Sequence, residues 1–181
     1  MIGLITGQVG SGKTTVCLKA WEMIRARGLA AGGILSPARH NASGAKIGID
    51  VLDVATGRKK ALADYEIGGG RTIGPYTFDP DILAWANARL RAAIQAAPDL
   101  LFVDEIGPLE LAHGKGFAPI LPLLADRRRV RHAVIVVRQA CVADLEGRLA
   151  RPDVRRFWVN PHRRDHLPVE IAETWSPRGY P

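Results

Sequence analysis

Ile2-Gly3-Leu4-Ile5-Thr6-Gly7-Gln8-Val9-Gly10-Ser11-Gly12-Lys13-Thr14 opens the chain with a short apolar run, a glycine-rich loop and the first residues of a helical pattern. The apolar run has the length and continuity of a buried parallel strand. Val16, Ala20, Met23 and Arg27 then recur at helical spacing, with Gly28 placed to end the helix. Between them, Gly7 to Thr14 matches G-x-x-x-x-G-K-[ST], a pattern that a chain of this composition meets by chance about one time in a hundred. Glycines at these positions let backbone amides wrap phosphates, and the helix start adds donors and the positive end of its dipole. Lys13 is expected to reach the β- and γ-phosphates of a nucleotide, and the Thr14 hydroxyl to ligate Mg²⁺; Gln8, Val9, Gly10, Ser11 and Gly12 act through their amides. A turn that merely joins strand to helix would give no packing reason for a lysine there.

Working outward, Ala31 to Ser36 reads as a second strand stopped by Pro37. Ile47–Val54 and Lys59–Ala63, with Thr56-Gly57 between them, form a hairpin pattern. Glu66 to Thr77 holds Gly68, Gly69, Gly70 and Gly74 and reads as a mobile loop near the substrate. Asp79-Pro80 is an N-cap followed by proline at the first helical position, and Leu83, Ala86, Leu90 and Ile94 keep one apolar face until Pro98. Leu100–Val103 and Ala133–Val137 are continuous apolar strands, and Val154–Val159 is the last strand. Phe117–Leu124, Cys141–Leu149 and Leu167–Trp175 read as helices. Alternating strands and helices predict an α/β domain spanning residues 1–181, with a mostly parallel sheet, helices on both faces, and its ligand crevice beyond the strands' C-terminal ends.

Asp104 and Glu105 follow an apolar strand onto that same edge. Asp104 is placed to hold Mg²⁺ through its water shell. Glu105 is within reach of the γ-phosphate as the acceptor that orients or deprotonates a water. An acidic helix cap is the plainer alternative, which the strand ahead of the pair disfavours. Arg138 and Gln139 end the next strand, so either could face the γ-phosphate, with Arg138 as the charge stabiliser. Arg127-Arg128-Arg129 with Arg131 reads as a solvated helix end. His162 and His166, bracketed by prolines and lacking a third ligand, read as surface histidines, and the four tryptophans as packing residues.

The 181 residues suffice to bury roughly 70% of the unfolded surface, and 47% hydrophobic with 24% charged residues is ordinary for a globular chain. No apolar run reaches the ~18 residues of a membrane span, and Met1–Ile5 leads into the loop instead of a cleavage site, which predicts a cytoplasmic protein. Cys17 and Cys141 lack metal spacing and are expected to be buried thiols. A net charge of +7 suits a polyanionic nucleotide and leaves a nucleic-acid partner open. Nothing in the sequence sets an oligomeric state.

The loop Gly7–Thr14 with Thr15, Gly33-Ile34, Thr56-Gly57, Ile73-Gly74-Pro75-Tyr76, and above all Val103-Asp104-Glu105-Ile106-Gly107-Pro108-Leu109-Glu110-Leu111 resemble the cancer-related nucleoside-triphosphatase family. The resemblance covers most of the chain. It implies a P-loop NTPase with a RecA-like core extended by antiparallel strands, and slow Mg²⁺-dependent hydrolysis of ATP, GTP and other triphosphates. Thr15 joins the nucleotide-binding set, and Asn160 and Arg164 resemble a segment expected beside the base. The family usually carries a basic residue where Pro108 stands, and histidine or arginine where this chain has Arg138-Gln139. The competing readings are a small-molecule kinase with Arg127–Arg131 as its lid, a GTP-binding accessory protein of molybdenum-cofactor maturation, a nucleic-acid-dependent ATPase, and a non-hydrolysing switch built on Ile106–Leu111.

Overall fold

The computed structural model describes residues 1–64, 71–73 and 76–175. Five parallel strands form its centre: β1 (Ile2–Thr6), β2 (Ala31–Leu35), β8 (Leu100–Ile106), β9 (Ala133–Val137) and β10 (Val154–Trp158). They lie side by side as β10-β1-β9-β8-β2, the RecA-like order. In β1 and β9 every residue is buried, because helices cover both faces of the sheet.

On one face, α1 (Lys13–Ala26) and α6 (Leu167–Trp175) pack Val16, Cys17, Ala20, Ile24, Leu167 and Ile171 against Ile5, Phe102 and Phe157. On the other, α2 (Pro80–Ala96), α4 (Leu121–Ala125) and α5 (Val142–Leu149) pack Leu90, Leu124 and Leu145 against Leu4, Leu101 and Ile135. The face of α1 is turned slightly from the expected one: Cys17 and Ile24 are buried, Met23 only partly, and Arg27 is exposed. The helix ends as expected, with Gly28 at φ +73°. Asp79 caps α2 by accepting from the amides of Asp81 and Ile82 at 2.9 and 3.0 Å. Both cysteines are buried and free.

The antiparallel insertion is larger than one hairpin. β4 (Lys46–Asp53) pairs antiparallel with β2 and with β5 (Lys59–Asp64), β5 continues to β7 (Tyr76–Phe78), β7 to β6 (Arg71–Ile73), and β3 (Ala38–His40) pairs with β4. The mobile loop expected over Glu66–Thr77 is therefore corrected where β6 and β7 stand: three-residue strands carry too few positions to show alternation. Its remainder, 66–70 and 74–75, lies outside the described residues. Pro119 and Pro122 split the helix expected over Phe117–Leu124 into a 3-10 turn at Ala118–Ile120 and α4, and a further one-turn helix, α3 (Pro108–Leu111), precedes them.

Candidate active site

The loop from Gly7 to Gly12 leaves β1 at the C-terminal edge of the sheet and turns into α1. Gly7, Gly10 and Gly12 take φ values of +150°, +79° and +95°. At Gly7 a methyl would lie 2.5 Å from the carbonyl oxygen of Val159, so only glycine lets β10 close against the loop. Helix α1 begins at Lys13 with no side-chain cap and no acidic residue in its first turn. Its first amides are left for a ligand, and the dipole favours an anion.

Lys13 is 8% exposed, and its ammonium donates to the carbonyls of Gly7 and Gln8 at 3.2 and 3.0 Å. Burial pulls its pKa below the usual lysine value, against the pull of Glu105 and Asp104. Asp104, 2% exposed near the end of β8, accepts from the Ser36 amide at 3.0 Å, while the Ser36 hydroxyl donates to its main-chain oxygen. Burial pushes the Asp104 carboxyl up to about 7, although the Ser36 amide and the Thr14 hydroxyl both bond to it. Thr14 and Asp104 thus face each other across the crevice as two hard oxygen donors, and the Ser11 hydroxyl is buried without a partner. Among the described residues no group of three or more His, Cys, Asp or Glu side chains could hold a metal ion. The donor set fits a small hard cation completed by water and phosphate oxygens.

A bulge sets the direction of Glu105. Asp104 pairs with Val136 and Ile106 with Val137, leaving Glu105 unmatched between them. Its carboxylate accepts from Arg138 Nε at 2.8 Å, so the two residues expected to face the γ-phosphate are partners here. A cavity of about 260 Å³ is lined by Gly7, Gln8, Val9, Lys13, Arg138, Gln139 and Ala140.

The two residues expected at the base differ in placement. Arg164 lies over the loop: a methyl on Gly12 would be 3.0 Å from Arg164 Cδ. The side-chain oxygen of Asn160 accepts from the amides of His162 and Arg163 at 3.0 and 2.9 Å, so it builds the turn that presents Arg164. Thr15 is exposed in the first turn of α1. Two residues went unnoticed in the sequence reading. Ser36 could have been found from its place at the end of a strand on the same edge. Glu110, buried and bonded to the Gly107 and Phe117 amides, stands in the most specific stretch of the family resemblance.

A family model described as NTPase matches residues 3–172. The chain belongs to this NTPase family. A nucleoside-triphosphatase THEP1 of Thermofilum pendens is 34% identical over 171 residues, 93% of this chain and 92% of that protein. Another, from Methanopyrus kandleri, is 36% identical over 170 residues, 94% and 92%. The crystal structure of THEP1 from Aquifex aeolicus superposes with a TM-score of 0.75 at 21% identity, covering 98% of this chain and all of that one. The solution structure of a human cancer-related nucleoside triphosphatase gives 0.71 at 22% identity, covering 98% of each. At these identities the two structures speak for the fold, a P-loop NTPase. Pro108 is the first residue of α3, a position that needs no amide hydrogen.

Proposed function

We propose that this NTPase hydrolyses nucleoside triphosphates, ATP and GTP among them, to diphosphate and phosphate with Mg²⁺. The observation that carries the reading is the buried Asp104 joined to Thr14 of the phosphate loop, with Glu105 beside it on the bulge. The loop amides and Lys13 bind the triphosphate, Lys13 exchanging the Gly7 and Gln8 carbonyls for phosphate oxygens. Thr14 and Asp104 would hold the cation, which when bound would supply positive charge against the charge of the phosphates. Glu105 orients a water and accepts its proton as the water oxygen bonds to the γ-phosphorus; the bond to the bridging oxygen breaks and the diphosphate leaves with that oxygen. Arg138, beside Glu105, offers its guanidinium to the charge on the γ-phosphoryl group. Arg164, lying over Gly12, is the candidate contact beyond the phosphates.

The THEP1 relatives, named as nucleoside-triphosphatases, support hydrolysis over the alternatives. The kinase lid loses its support, because Arg127–Arg131 lead into the start of β9, at the sheet edge opposite the phosphate loop, where Arg127 and Arg129 pair with Asp153 and Asp126. The nucleic-acid reading is weakened by pairing too: Arg155 and Arg163 share Glu170, and Arg156 holds Glu146. The deciding experiment is phosphate release from ATP and from GTP, each with Mg²⁺ and with chelator, by the parent protein and by Glu105→Gln. Mg²⁺-dependent release by the parent and not by the variant is the expected result; no release by a parent that still binds nucleotide rejects self-contained hydrolysis.

A further inference from the structure

Glu110 is 5% exposed, a buried carboxylate with no part in the scheme above. Both its oxygens are committed: Oε2 accepts from the Gly107 amide at 2.9 Å and Oε1 from the Phe117 amide at 3.2 Å. One side chain thereby closes the two ends of the segment 107–117. Space is kept for it by Gly116, at φ +59°, where a methyl would lie 2.0 Å from Glu110 Oε1. The rest of the segment is tied to two helices: Asn87 of α2 donates to the Gly116 carbonyl at 3.1 Å, and Arg148 of α5 to that of Leu111 at 2.8 Å.

Gly107 joins this anchor to the reactive edge. Its amide is held by Glu110, and Arg138 lies across its other side: a methyl on Gly107 would be 3.3 Å from Arg138 Cγ and 3.7 Å from Nε. The Arg138 amide donates to the Ile106 carbonyl at 3.2 Å, and its Nε to Glu105 at 2.8 Å. Glu110 therefore holds Gly107, and Arg138, bonded to the neighbouring Ile106 carbonyl and lying beside where a Gly107 methyl would be, holds Glu105.

We propose that Glu110 is a positioning residue for hydrolysis. By holding Gly107 from the buried side, it fixes the backbone that carries Glu105 and the surface on which Arg138 lies, making residues 107–117 a fixed bracket instead of a switch. The inference rests on the hydrolytic reading. A role in stability alone would lower the amount of folded protein and leave turnover per folded molecule unchanged. A positioning role lowers turnover itself, because small displacements of reacting groups are costly.

Glu110→Gln keeps the shape but turns one acceptor into an NH₂ group facing a backbone amide. Single-turnover phosphate release and affinity for a fluorescent ATP analogue, both with Mg²⁺, would be measured for the parent, Glu110→Gln, Glu105→Gln and the double variant. Glu110→Gln is expected to slow turnover on the order of a hundredfold with affinity unchanged, and to add a clearly smaller loss once Glu105 is glutamine, since one of the two groups it positions is then gone and only Arg138 remains. Gly107→Ala, whose extended backbone accepts alanine, presses on Arg138 without touching Glu110; it should also slow turnover at unchanged affinity, and it carries the test if Glu110→Gln does not fold. Parent-like turnover in Glu110→Gln, an equal loss in both backgrounds, or parent-like turnover in Gly107→Ala would overturn the inference. A parent that releases no phosphate rejects the hydrolytic reading itself, and the positioning role with it.

Discussion

Lys13 and Glu105 sit on one sheet edge, and the proposed hydrolysis gives them different tasks. The Lys13 ammonium is held by two carbonyls in a buried loop, with its pKa pulled down, so an arriving polyanion relieves the cost of its charge. Lys13→Ala should weaken triphosphate binding about 10- to 100-fold or more, the worth of at least one charge-assisted hydrogen bond. Glu105 is joined to Arg138 and lies on β8, not on the glycine-rich loop. Glu105→Gln should therefore bind as the parent does and lose roughly 10²- to 10⁴-fold in turnover, the usual share of a positioned base. Affinity by fluorescence titration beside single-turnover rates separates the two, and equal loss of binding in both variants would refute the division. Arg138→Ala should lower turnover more than affinity, and unchanged kinetics would return Arg138 to a surface role.

Among the elements, β2 does more than the run Ala31–Leu35 suggests. It is the seam where the parallel core, through β8, meets the antiparallel insertion, through β4, and it delivers Ser36 to Asp104. Gly33 makes this possible: at φ +100° its missing side chain would lie 2.0 Å from the Phe102 carbonyl oxygen. Gly33→Ala combines a strained conformation with a backbone clash and should cost about 3 kcal/mol or more. Urea unfolding followed by circular dichroism would measure it, and a loss under about 1 kcal/mol, the ordinary strand cost of such a change, would show that β2 and β8 can part. The longer elements, α1, α2, β8 and β9, were legible because periodicity, caps and continuous burial act within each segment. β3, β6 and β7 were not, because three residues take their structure from the strand beside them. The bulge that frees Glu105 was likewise invisible, since it exists only as a mismatch between β8 and β9.

Across the whole molecule the two sheet edges divide the work. The edge at the strands' C-terminal ends holds buried, incompletely paired polar groups around the phosphate loop; the opposite edge is bound by satisfied charges. There Arg151, 8% exposed, donates to the carbonyls of Leu124 and Val130 at 3.2 and 2.7 Å and pairs with Asp153, which also meets the Met1 amino group at 2.9 Å. Arg151 above all, with that amino group, holds the Asp153 carboxyl well below the usual carboxylate range. A depressed folded pKa gives stability that is complete above the unfolded value, about 3.9, and is lost as pH falls below it. Asp153→Asn should thus be less stable than the parent at about pH 6, and the gap should close toward about pH 2. Urea midpoints across that range provide the check, and a gap constant with pH would mean that Asp153 contributes shape and not charge.

The sequence by itself determined the glycine-rich loop between the first strand and helix, the strand bearing Asp104 and Glu105, the helices on either side, and the class of fold. Each rests on local rules: glycines where amides must turn, apolar runs where both faces are covered, and caps where helices begin. Only the tertiary structure decided that Ser36 and Thr14 share Asp104, that Arg138 lies on Gly107 and holds Glu105, that Asn160 builds a turn while Arg164 covers the loop, and that Glu110 anchors the segment behind them. Most of these are pairings between residues from 31 to 152 positions apart on the chain. They depend on strand register and on which side chains the fold removes from water, and no local pattern encodes either.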